Sequence, residues 1–343
     1  MKILAIETSA DETAASVVEG RKVLSNVIYS QIQMHVKYGG IYPAVAKRAH
    51  EEKINPVVVK AMKKFSFNDI DFIAVTYGPG LAIALEVGIK KAQELALMHH
   101  KKIIPVNHLE GHIYSSFVQN SKGNPHFNFQ FPYIAFVISG GHTELVLFKD
   151  HVLFEILGET VDDAAGEALD KAAKMLGLGY PGGPIIETLS REVNNVDLYK
   201  FPRPMLGSHD MNFSFSGLKT AMFYYLKTIS EQEKNVHVKE LASSFQEAVF
   251  RVLEKKLEFA IKKMGINRVV VGGGVSANQF LRLRFRKLMK KYNGVVHFPP
   301  YKYLSGDNAA MIGVAAHYKA EKGMFIESEY DIKQLQRIPR LSL

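Results

Sequence analysis

Residues 3–18 read Ile3-Leu-Ala-Ile-Glu-Thr-Ser-Ala-Asp-Glu-Thr-Ala-Ala-Ser-Val-Val18, and residues 134–147 read Ile134-Ala-Phe-Val-Ile-Ser-Gly-Gly-His-Thr-Glu-Leu-Val-Leu147. Each stretch has the pattern of an apolar strand, a small polar turn and a second apolar strand. Two copies of one hairpin, far apart in the chain, predict duplicated lobes that face a shared cleft. The alternative is that the two hairpins are unrelated, because α/β proteins often repeat such units.

Strand patterns alternate with longer helical patterns along the rest of the chain, which predicts an α/β fold. The predicted strands are 3–6, 72–75, 103–106, 134–138, 145–148 and 269–271. The predicted helices are 43–64, 82–99, 164–176 and 240–264. At 343 residues the chain is long enough for two lobes, each with its own core. The turn-rich stretch 120–125 is the best candidate for the linker between them.

Composition limits the class of protein. The chain has no cysteine, so disulfides and thiolate ligands are excluded and any metal must be held by His and carboxylate groups. No apolar run is long enough to span a bilayer, and the sequence enters a strand pattern at once without a signal peptide. We therefore expect a cytoplasmic protein with no membrane partner. The formal net charge of +9 favours a polyanion such as nucleic acid as partner, with plain solubility as the alternative.

Two histidines, His108 and His112, lie four residues apart in Val106-Asn-His-Leu-Glu-Gly-His112. In a helix this spacing places both imidazoles on one face, where they can share a metal ion; a solvated helix face is the alternative. Asp307 precedes a helix of small residues, so it can cap that helix or supply the oxygen ligand that two histidines lack. Two His and one carboxylate with open positions suit Fe or Zn.

The position of Glu110 argues against a zinc peptidase. Peptidases with an HExxH motif have their catalytic Glu directly after the first His. Glu110 comes two residues after His108, and a helix would turn it about 200° away. Gly111 also weakens the helix by about 1 kcal/mol relative to Ala. We therefore expect a metal that holds a substrate rather than one that activates a peptide-cleaving water.

Glycine-rich turns in the second half of the chain predict a phosphate and nucleoside site. Ser139-Gly-Gly-His-Thr143 follows a strand, and its backbone N–H groups can cradle phosphate oxygens. A simple hairpin turn also explains the two glycines. Tyr180-Pro-Gly-Gly-Pro184 offers a wall without side chains for a flat ring or ribose, or it connects two helices. Val269-Val-Val-Gly-Gly-Gly-Val-Ser-Ala-Asn278 has the strand, turn and capped helix that are typical of nucleotide sites.

Acidic residues between these turns recur at helical spacing. Asp163, Glu167 and Asp170 would form one charged stripe, and like charges at this spacing repel one another. The hydroxyls of a sugar or a bound cation would compensate the stripe. Pairing with Lys171 and Lys174 is the alternative.

These motifs resemble the TsaD family of tRNA threonylcarbamoyladenosine-forming enzymes over nearly the whole chain. The matching stretches are Glu7-Thr-Ser-Ala-Asp-Glu-Thr13, His108-Leu-Glu-Gly-His112, Ser139-Gly-Gly-His-Thr143, Asp162-Asp-Ala-Ala-Gly-Glu-Ala-Leu-Asp-Lys171, Tyr180-Pro-Gly-Gly183 and Gly273-Gly-Val-Ser-Ala-Asn278. The stretch Phe213-Ser-Phe-Ser-Gly-Leu-Lys-Thr-Ala221 is of the bacterial type. The family's usual Cys is Ala10 here, so no thiol chemistry can be essential.

The resemblance implies a two-lobed actin-like fold, that of the sugar kinase, Hsp70 and actin superfamily, with duplicated RNase H-like lobes. Residues 1–125, with a C-terminal helical region of about 308–343, would form the N-terminal lobe with the metal histidines. Residues 126–307 would form the C-terminal lobe with the adenylate site.

The resemblance also implies the activity of a tRNA N6-adenosine threonylcarbamoyltransferase. Such an enzyme moves a threonylcarbamoyl group from threonylcarbamoyl-AMP to the adenosine beside the anticodon, in tRNAs that read codons beginning with A. A metal-dependent peptidase (glycoprotease) and an actin-like sugar kinase or ATPase are the alternatives. The implied partners are tRNA, a TsaB-like paralogue in a heterodimer, a TsaE-like ATPase and an upstream threonylcarbamoyl-AMP synthase.

Carried over by motif, the resemblance assigns one divalent metal ion, Fe or Zn, to His108, His112 and Asp307. It assigns the phosphate and carbamoyl end of the substrate to Ile138, Ser139, Gly140, Gly141, His142 and Thr143. It assigns the ribose and base of the adenylate to Asp170, Gly183, Glu187 and Asn278, where ATP, ADP or AMP analogues can also bind. Asp11 and Glu12 are the candidates to position the incoming amine.

Helices 43–64 and 82–99 carry more apolar positions than one buried stripe requires. Such an excess suits packing against a partner protein. Burial within the lobe itself is the alternative.

Overall fold

The computed structural model describes residues 1–343, which form two compact units. Unit 1 comprises Met1–Gln130, Asp150–Leu153 and Pro299–Leu343, and unit 2 comprises Phe131–Lys149 and Phe154–Phe298. The expected lobes divide at residues 125 and 307, whereas the compact units divide at Gln130 and Phe298. Asp307 therefore belongs to the same unit as His108 and His112.

Ten strands and twelve α-helices alternate along the chain. The strands are β1 (Lys2–Glu7), β2 (Glu12–Glu19), β3 (Lys22–Ser30), β4 (Phe72–Gly78), β5 (Lys102–Asn107), β6 (Tyr133–Ile138), β7 (Thr143–Asp150), β8 (Leu153–Glu159), β9 (Arg268–Gly272) and β10 (Val295–His297). The helices are α1 (Ile32–His35), α2 (Pro43–Ala61), α3 (Ala82–His99), α4 (His108–Tyr114), α5 (Ala165–Met175), α6 (Gly182–Glu192), α7 (Ser216–Leu226), α8 (Glu231–Val236), α9 (Val238–Met264), α10 (Gln279–Lys291), α11 (Ala309–Glu321) and α12 (Glu329–Gln334).

The two units repeat one sheet topology. The sheet of unit 1 has the order β3-β2-β1-β4-β5, and the sheet of unit 2 has the corresponding order β8-β7-β6-β9-β10. In both sheets the first two strands pair antiparallel and the fourth strand joins the first in parallel. The hairpins at residues 3–18 and 134–147 thus open two copies of one fold, and the prediction of a duplicated α/β architecture is confirmed.

The sheet of unit 1 is apolar on both faces because helices cover both of them. Leu4 and Ile6 face the core formed with α2 and α3. Ala5 and Val18 face α11, where Gly313 lies so close that an added Cβ would meet Val18 Cγ2 at 2.6 Å. In unit 2, alternate residues of β6 face a second core built with α5, α9 and α10.

The predicted elements are present with small shifts at their ends. The helix predicted at 82–99 has the same bounds in the structure, and the one predicted at 43–64 ends at Ala61. Most apolar side chains of these two helices are buried within unit 1, and Val59 and Met98 are their exposed large apolar residues. No helix combines the length and the apolar character that crossing a membrane would require.

Candidate metal centre and nucleotide site

The end of β5 delivers His108 and His112 to one helical face. Asn107 closes the strand and caps α4, since its Oδ1 accepts a hydrogen bond from Leu109 N at 2.8 Å. The four-residue spacing then brings the two imidazole rings to a centroid distance of 4.6 Å, with 73° between their planes. His108 is 6% exposed and His112 is fully buried, so the alternative of a solvated helix face is wrong.

Asp307 lies next to the two histidines and is the third member of a possible metal-binding group. Its Oδ1 lies 3.3 Å from His112 Nε2 and 3.5 Å from His108 Nε2. Asn308, rather than Asp307, caps α11, because Asn308 Oδ1 accepts from Met311 N at 3.0 Å. The capping alternative for Asp307 is therefore wrong. One ligand atom from each of His108, His112 and Asp307 lies within 4.8 Å of the others, and this group could hold a metal ion.

Glu7 orients the first histidine, a role that the sequence analysis missed. Glu7 is fully buried at the end of β1, and its Oε2 lies 3.1 Å from His108 Nδ1. Thr76 Oγ1 donates to the same oxygen at 2.6 Å, and Ser9 N donates to Oε1 at 2.5 Å. A carboxylate held in this way keeps a proton on Nδ1 and leaves Nε2 free to bind a cation. The sequence signal that could have identified Glu7 is an acidic residue at the end of a largely apolar strand.

The residues present fit a divalent metal. Both ring nitrogens of His112 are buried without a hydrogen-bond partner, although Asp307 lies within ion-pair distance. A buried polar atom without a partner costs about 1–3 kcal/mol, and a cation bound to Nε2 would remove part of that cost. Two imidazole nitrogens and one carboxylate oxygen form a donor set that Zn and Fe accept.

The two histidines differ in charge when no cation is bound. Burial lowers the pKa of His108, but the carboxylates of Asp307 and Glu7 outweigh it and raise that pKa to about 9. Burial and the neighbouring His108 lower the pKa of His112. Burial acts to raise the pKa of Glu7, yet His108 brings it below its usual value. Without a metal, the protonated His108 therefore supplies the positive charge that a bound cation would otherwise supply to Asp307 and Glu7.

Asp11 ends the turn between β1 and β2, and Glu12 is the first residue of β2. Burial, and then the charge of Asp11, raises the pKa of Glu12 well above its usual range. The pKa of Asp11 is raised as well, chiefly by burial. His50 holds this turn, with Nε2 at 3.0 Å from Ala10 O and Nδ1 at 2.8 Å from Thr13 Oγ1. A carboxylate with a raised pKa is a stronger base than an ordinary one, which suits a role in proton transfer.

Glu110 points away from the metal group. Its Oε2 pairs with Lys319 Nζ of α11 at 3.3 Å, which uses the carboxylate that a peptidase would need as its base. Gly111 lies where α4 approaches α11, and an added Cβ would lie 2.6 Å from Ile312 Cδ1, so that side chain would have to shift. The close packing of these two helices thus compensates the weak helix propensity of glycine.

In unit 2, the turn from Ser139 to Thr143 is closed by its own hydrogen bonds. Ser139 N donates to His142 O at 2.8 Å, and His142 N donates to Ser139 Oγ at 3.1 Å. Thr143 Oγ1 accepts from Ala165 N at 2.9 Å, which places the start of α5 against the turn. Gly140 and Gly141 are exposed, with no heavy atom within 4 Å of an added Cβ. Their backbone is therefore open to a ligand, whereas Ile138 is packed in the core.

The carboxyl ends of β6 and β9 meet beside this turn. Gly273 has a φ of +88°, and an added Cβ would lie 2.4 Å from Ile138 O, so only glycine fits. Asn278 caps α10 through its Oδ1, which accepts from Leu281 N at 3.1 Å. Its Nδ2 donates to Gln246 Oε1 at 2.9 Å. The amide of Asn278 is thus engaged within the protein.

Asp170 and Glu187 each accept hydrogen bonds from the first backbone N–H groups of a neighbouring helix. Asp170 Oδ1 accepts from Gly182 N at 2.7 Å and from Gly183 N at 3.2 Å, at the start of α6. Glu187 Oε1 accepts from Gln279 N at 2.7 Å, at the start of α10. The two carboxylates thus accept from backbone N–H groups at the starts of α6 and α10, where the partial positive charge of a helix favours a negative group. An added Cβ at Gly183 would meet no heavy atom within 4 Å.

The predicted acidic stripe is not a helical stripe. Asp163 lies before α5 and pairs with Lys171 at 2.6 Å and with Lys219 at 3.1 Å. Glu167 pairs with Lys171 at 2.8 Å. Lysine pairing accounts for these two acids, but the partners are Lys171 and Lys219 and not the predicted Lys174.

Known proteins with similar sequences share one description. The TsaD family model, described as tRNA N6-adenosine threonylcarbamoyltransferase, matches residues 22–314. Proteins of that name from Thermosipho africanus and Endomicrobium trichonymphae are 44% and 48% identical to the chain. The first alignment covers 100% of both chains, and the second covers 100% of this chain and 98% of the relative. A third relative of that name, from Clostridioides difficile, is 45% identical over 99% of the chain and 98% of its own length.

Solved structures with low sequence identity share the fold. HypF from T. kodakarensis aligns with a TM-score of 0.60 at 15% identity, over 94% of this chain and 48% of its own. The activator of the 2-hydroxyisocaproyl-CoA dehydratase from Clostridium difficile, with bound ADPNP, aligns with a TM-score of 0.52 at 13% identity, over 98% and 99% of the two chains. These likenesses confirm the predicted actin-like fold class. Full-length relatives and the family match agree with the motifs and the metal group: the chain belongs to the TsaD family of tRNA N6-adenosine threonylcarbamoyltransferases.

Proposed function

We propose that this chain transfers a threonylcarbamoyl group from threonylcarbamoyl-AMP to the exocyclic nitrogen of the adenosine beside the anticodon. The tRNAs concerned read codons that begin with A. The observation that carries the proposal is the buried group of His108, His112 and Asp307, oriented by Glu7. It occurs in a chain whose full-length relatives bear the name of this activity.

The reaction forms a bond between the adenosine nitrogen and the carbamoyl carbon. The bond from that carbon to the phosphate oxygen breaks, and AMP leaves with the electron pair. The adenosine nitrogen also gives up one proton. Because an arylamine-like nitrogen is a weak nucleophile, the correct placement of both substrates would supply much of the acceleration.

The residues of unit 1 would hold the reacting end of the substrates. His108, His112 and Asp307 would bind one Fe or Zn ion, which when bound polarises or orients the threonylcarbamoyl group. Glu7 would keep the Nε2 atom of His108 directed at the ion. Asp11 and Glu12 would position the amine, and the raised pKa of Glu12 suits it to accept the departing proton.

The residues of unit 2 would hold the adenylate. The exposed backbone of Gly140 and Gly141, with Ile138, Ser139, His142 and Thr143 shaping the turn, would surround the phosphate. Asp170, Gly183, Glu187 and Asn278 would bind the ribose and base. Hydrogen bonds within the protein already hold Thr143 and Asn278 in position, so neither side chain would need to reorganise when the ligand binds.

The two alternative functions have less support. A peptidase would use the acid that accompanies its histidine pair as the base, and Glu110 is paired with Lys319 instead. A sugar kinase would have no use for the histidine pair in phosphoryl transfer.

Helper proteins and a cytoplasmic location form part of the proposal. A TsaB-like paralogue, a TsaE-like ATPase and an upstream threonylcarbamoyl-AMP synthase would supply the adenylate and support turnover. The net charge of +9 suits a tRNA substrate.

A reconstituted reaction tests the proposal. The purified chain with its helper proteins is incubated with unmodified tRNA, threonine, bicarbonate, ATP and the adenylate-forming enzyme, and nucleosides from the tRNA are analysed by mass spectrometry. We expect threonylcarbamoyladenosine with the wild-type chain and none with His112→Ala. If the wild-type chain, holding its metal, forms no modified nucleoside, the proposal is wrong.

A further inference from the structure

Two tyrosines form an exposed stacked pair beside the Asp11–Glu12 turn. The rings of Tyr38 and Tyr42 lie 4.8 Å apart with 21° between their planes. Tyr38 is 42% exposed and Tyr42 is 49% exposed. The pair contributes to neither core described above, so the folding of unit 1 does not account for it.

The backbone holds this pair in a defined place. The pair spans the end of a short 3₁₀ turn and the N-cap of α2. Gly39 and Gly40 between the rings have φ values of +66° and +155°, which let the chain reverse so that the rings can stack. No heavy atom lies within 4 Å of an added Cβ at Gly40, so the space beside the rings is open.

Hydrogen bonds connect the pair to Asp11. Tyr42 N donates to Nδ1 of the buried His35 at 3.3 Å, and His35 Nε2 lies 3.3 Å from Gln31 Oε1. Gln31 N in turn donates to Asp11 O at 2.9 Å. Because Gln31 and His35 are both fully buried, these bonds hold the backbone at Tyr42 in a fixed position relative to the backbone of Asp11.

Charge next to the rings favours an anionic partner. Lys37 Nζ lies 5.0 Å from the centroid of the Tyr38 ring. The face of the Tyr42 ring opposite Tyr38 has no ring or cation against it. An aromatic surface with a lysine at its edge is the combination with which proteins bind single-stranded nucleic acid, where the base stacks on the ring and the cation meets the phosphate.

We infer that the Tyr38–Tyr42 pair is a stacking platform for a nucleobase of the tRNA anticodon loop. A base next to the target adenosine stacks on the outer face of Tyr42, which directs the amine toward Asp11 and Glu12. Lys37 meets the phosphate of the same nucleotide. The inference rests on the proposed function, since it gives the surface a tRNA substrate.

Initial rates over a range of tRNA concentrations test the inference, with the chain in its complete reaction mixture including the helper proteins. Tyr42→Ala should raise KM for tRNA by about tenfold or more, since stacking of a base on an aromatic ring has a value of that order. The value of kcat should fall as well, because the amine is then no longer directed at Asp11 and Glu12. Tyr42→Trp, which keeps an aromatic face, should restore KM. The matched control is Tyr330→Ala, which removes a tyrosine that is 72% exposed on α12.

A spectroscopic probe tests stacking without turnover. An anticodon stem-loop with 2-aminopurine next to the target adenosine should lose fluorescence on the wild-type protein and on Tyr42→Trp, and lose much less on Tyr42→Ala. Equal KM and equal quenching in all variants would overturn the inference. So would loss of a helper protein from Tyr42→Ala in gel filtration with unchanged KM, which would make the pair a protein interface. Failure of the proposed function is a separate result, because the wild-type chain would then form no modified nucleoside.

Discussion

Glu7 Oε2 and His108 Nδ1 lie 3.1 Å apart inside unit 1, and the opposite nitrogen of that imidazole faces Asp307. The first strand of the fold thus fixes the orientation of a histidine that lies 101 positions later in the chain. The position of Glu7 depends on the strand order of the sheet. Strands β1 and β4 are neighbours, and Thr76 of β4 donates a hydrogen bond to Glu7.

Glu7→Gln should weaken metal binding by about 10- to 100-fold, the usual effect of losing a carboxylate behind a ligating histidine. The amide keeps the size of the side chain, but its NH2 group can donate to Nδ1 and so move the ring proton to Nε2. Competition with a chelator measures the metal Kd. Glu19→Gln, at the exposed end of β2, is the control, and an unchanged Kd in Glu7→Gln would show that Glu7 has no orienting role.

His112→Leu should abolish metal binding without destabilising the metal-free protein. The substitution removes two buried nitrogens that have no hydrogen-bond partner, and loss of such groups is close to neutral or stabilising. Urea unfolding of the metal-free proteins measures the free energy difference. Added metal should stabilise only the wild type. A variant that is both metal-free and much less stable than the metal-free wild type would show that His112 has a structural role.

Metal affinity should rise with pH through the neutral range. Asp307 and Glu7 outweigh burial and raise the pKa of His108 to about 9, so below that pH a cation must displace a proton. The logarithm of Kd should fall by about one per pH unit and level off near pH 9. Chelator competition at several pH values measures the slope, and a flat profile would contradict the assignment of the proton to His108.

The raised pKa of His108 also predicts that the metal-free protein becomes less stable as the pH rises, although its metal affinity increases. Because the pKa of His108 is higher in the folded state than its ordinary value of 6.5, protonation of His108 stabilises the fold. This stabilisation is fully present below pH 6.5 and is lost as the pH rises through about 9. Urea unfolding of metal-free protein across this range should show the decline. The decline should be smaller in Glu7→Gln, which lacks one of the two carboxylates. An equal decline in both proteins would assign the pH dependence to other groups.

Gly111→Ala should destabilise the protein, although alanine is normally the better helix former by about 1 kcal/mol. The added methyl group would lie 2.6 Å from Ile312 Cδ1 and 3.2 Å from Met311 Cγ, and such overpacking costs about 1–3 kcal/mol. Because α4 carries the histidines and Asp307 adjoins α11, metal content should fall as well. Thermal unfolding and metal analysis measure both effects, and a stabilised variant with full metal would contradict the packing argument.

The strand and helix pattern was predictable because apolar periodicity reports burial directly, and α3 kept its predicted bounds. His108 and His112 were predictable for a local reason, since four residues of helix bring them together. Glu7 was missed because its partner is distant in sequence, and only the order β1-β4-β5 brings the two side by side. The capping role suggested for Asp307 was wrong, since Asn308 caps α11. Both Asp and Asn are good N-cap residues, so the sequence alone could not show which of the two neighbours is the cap.

Asp170→Ala should lower the free energy of unfolding by about 1 kcal/mol even without nucleotide, because Asp170 caps α6 through Gly182 N and Gly183 N. Nucleotide affinity should fall in the same variant. Urea unfolding and AMP titration separate the two effects. Loss of AMP binding without any loss of stability would mean that Asp170 contacts ligand only.

Metal content of purified Asp307→Ala tests the central claim most directly, because Asp307 comes from a different part of the fold than the histidines and does not cap a helix. By elemental analysis we expect about one Fe or Zn per wild-type chain and per control chain Asp331→Ala, and little metal in Asp307→Ala. Threonylcarbamoyladenosine formation should be lost together with the metal. A full complement of metal in Asp307→Ala, with tRNA modified at the wild-type rate, would contradict the account.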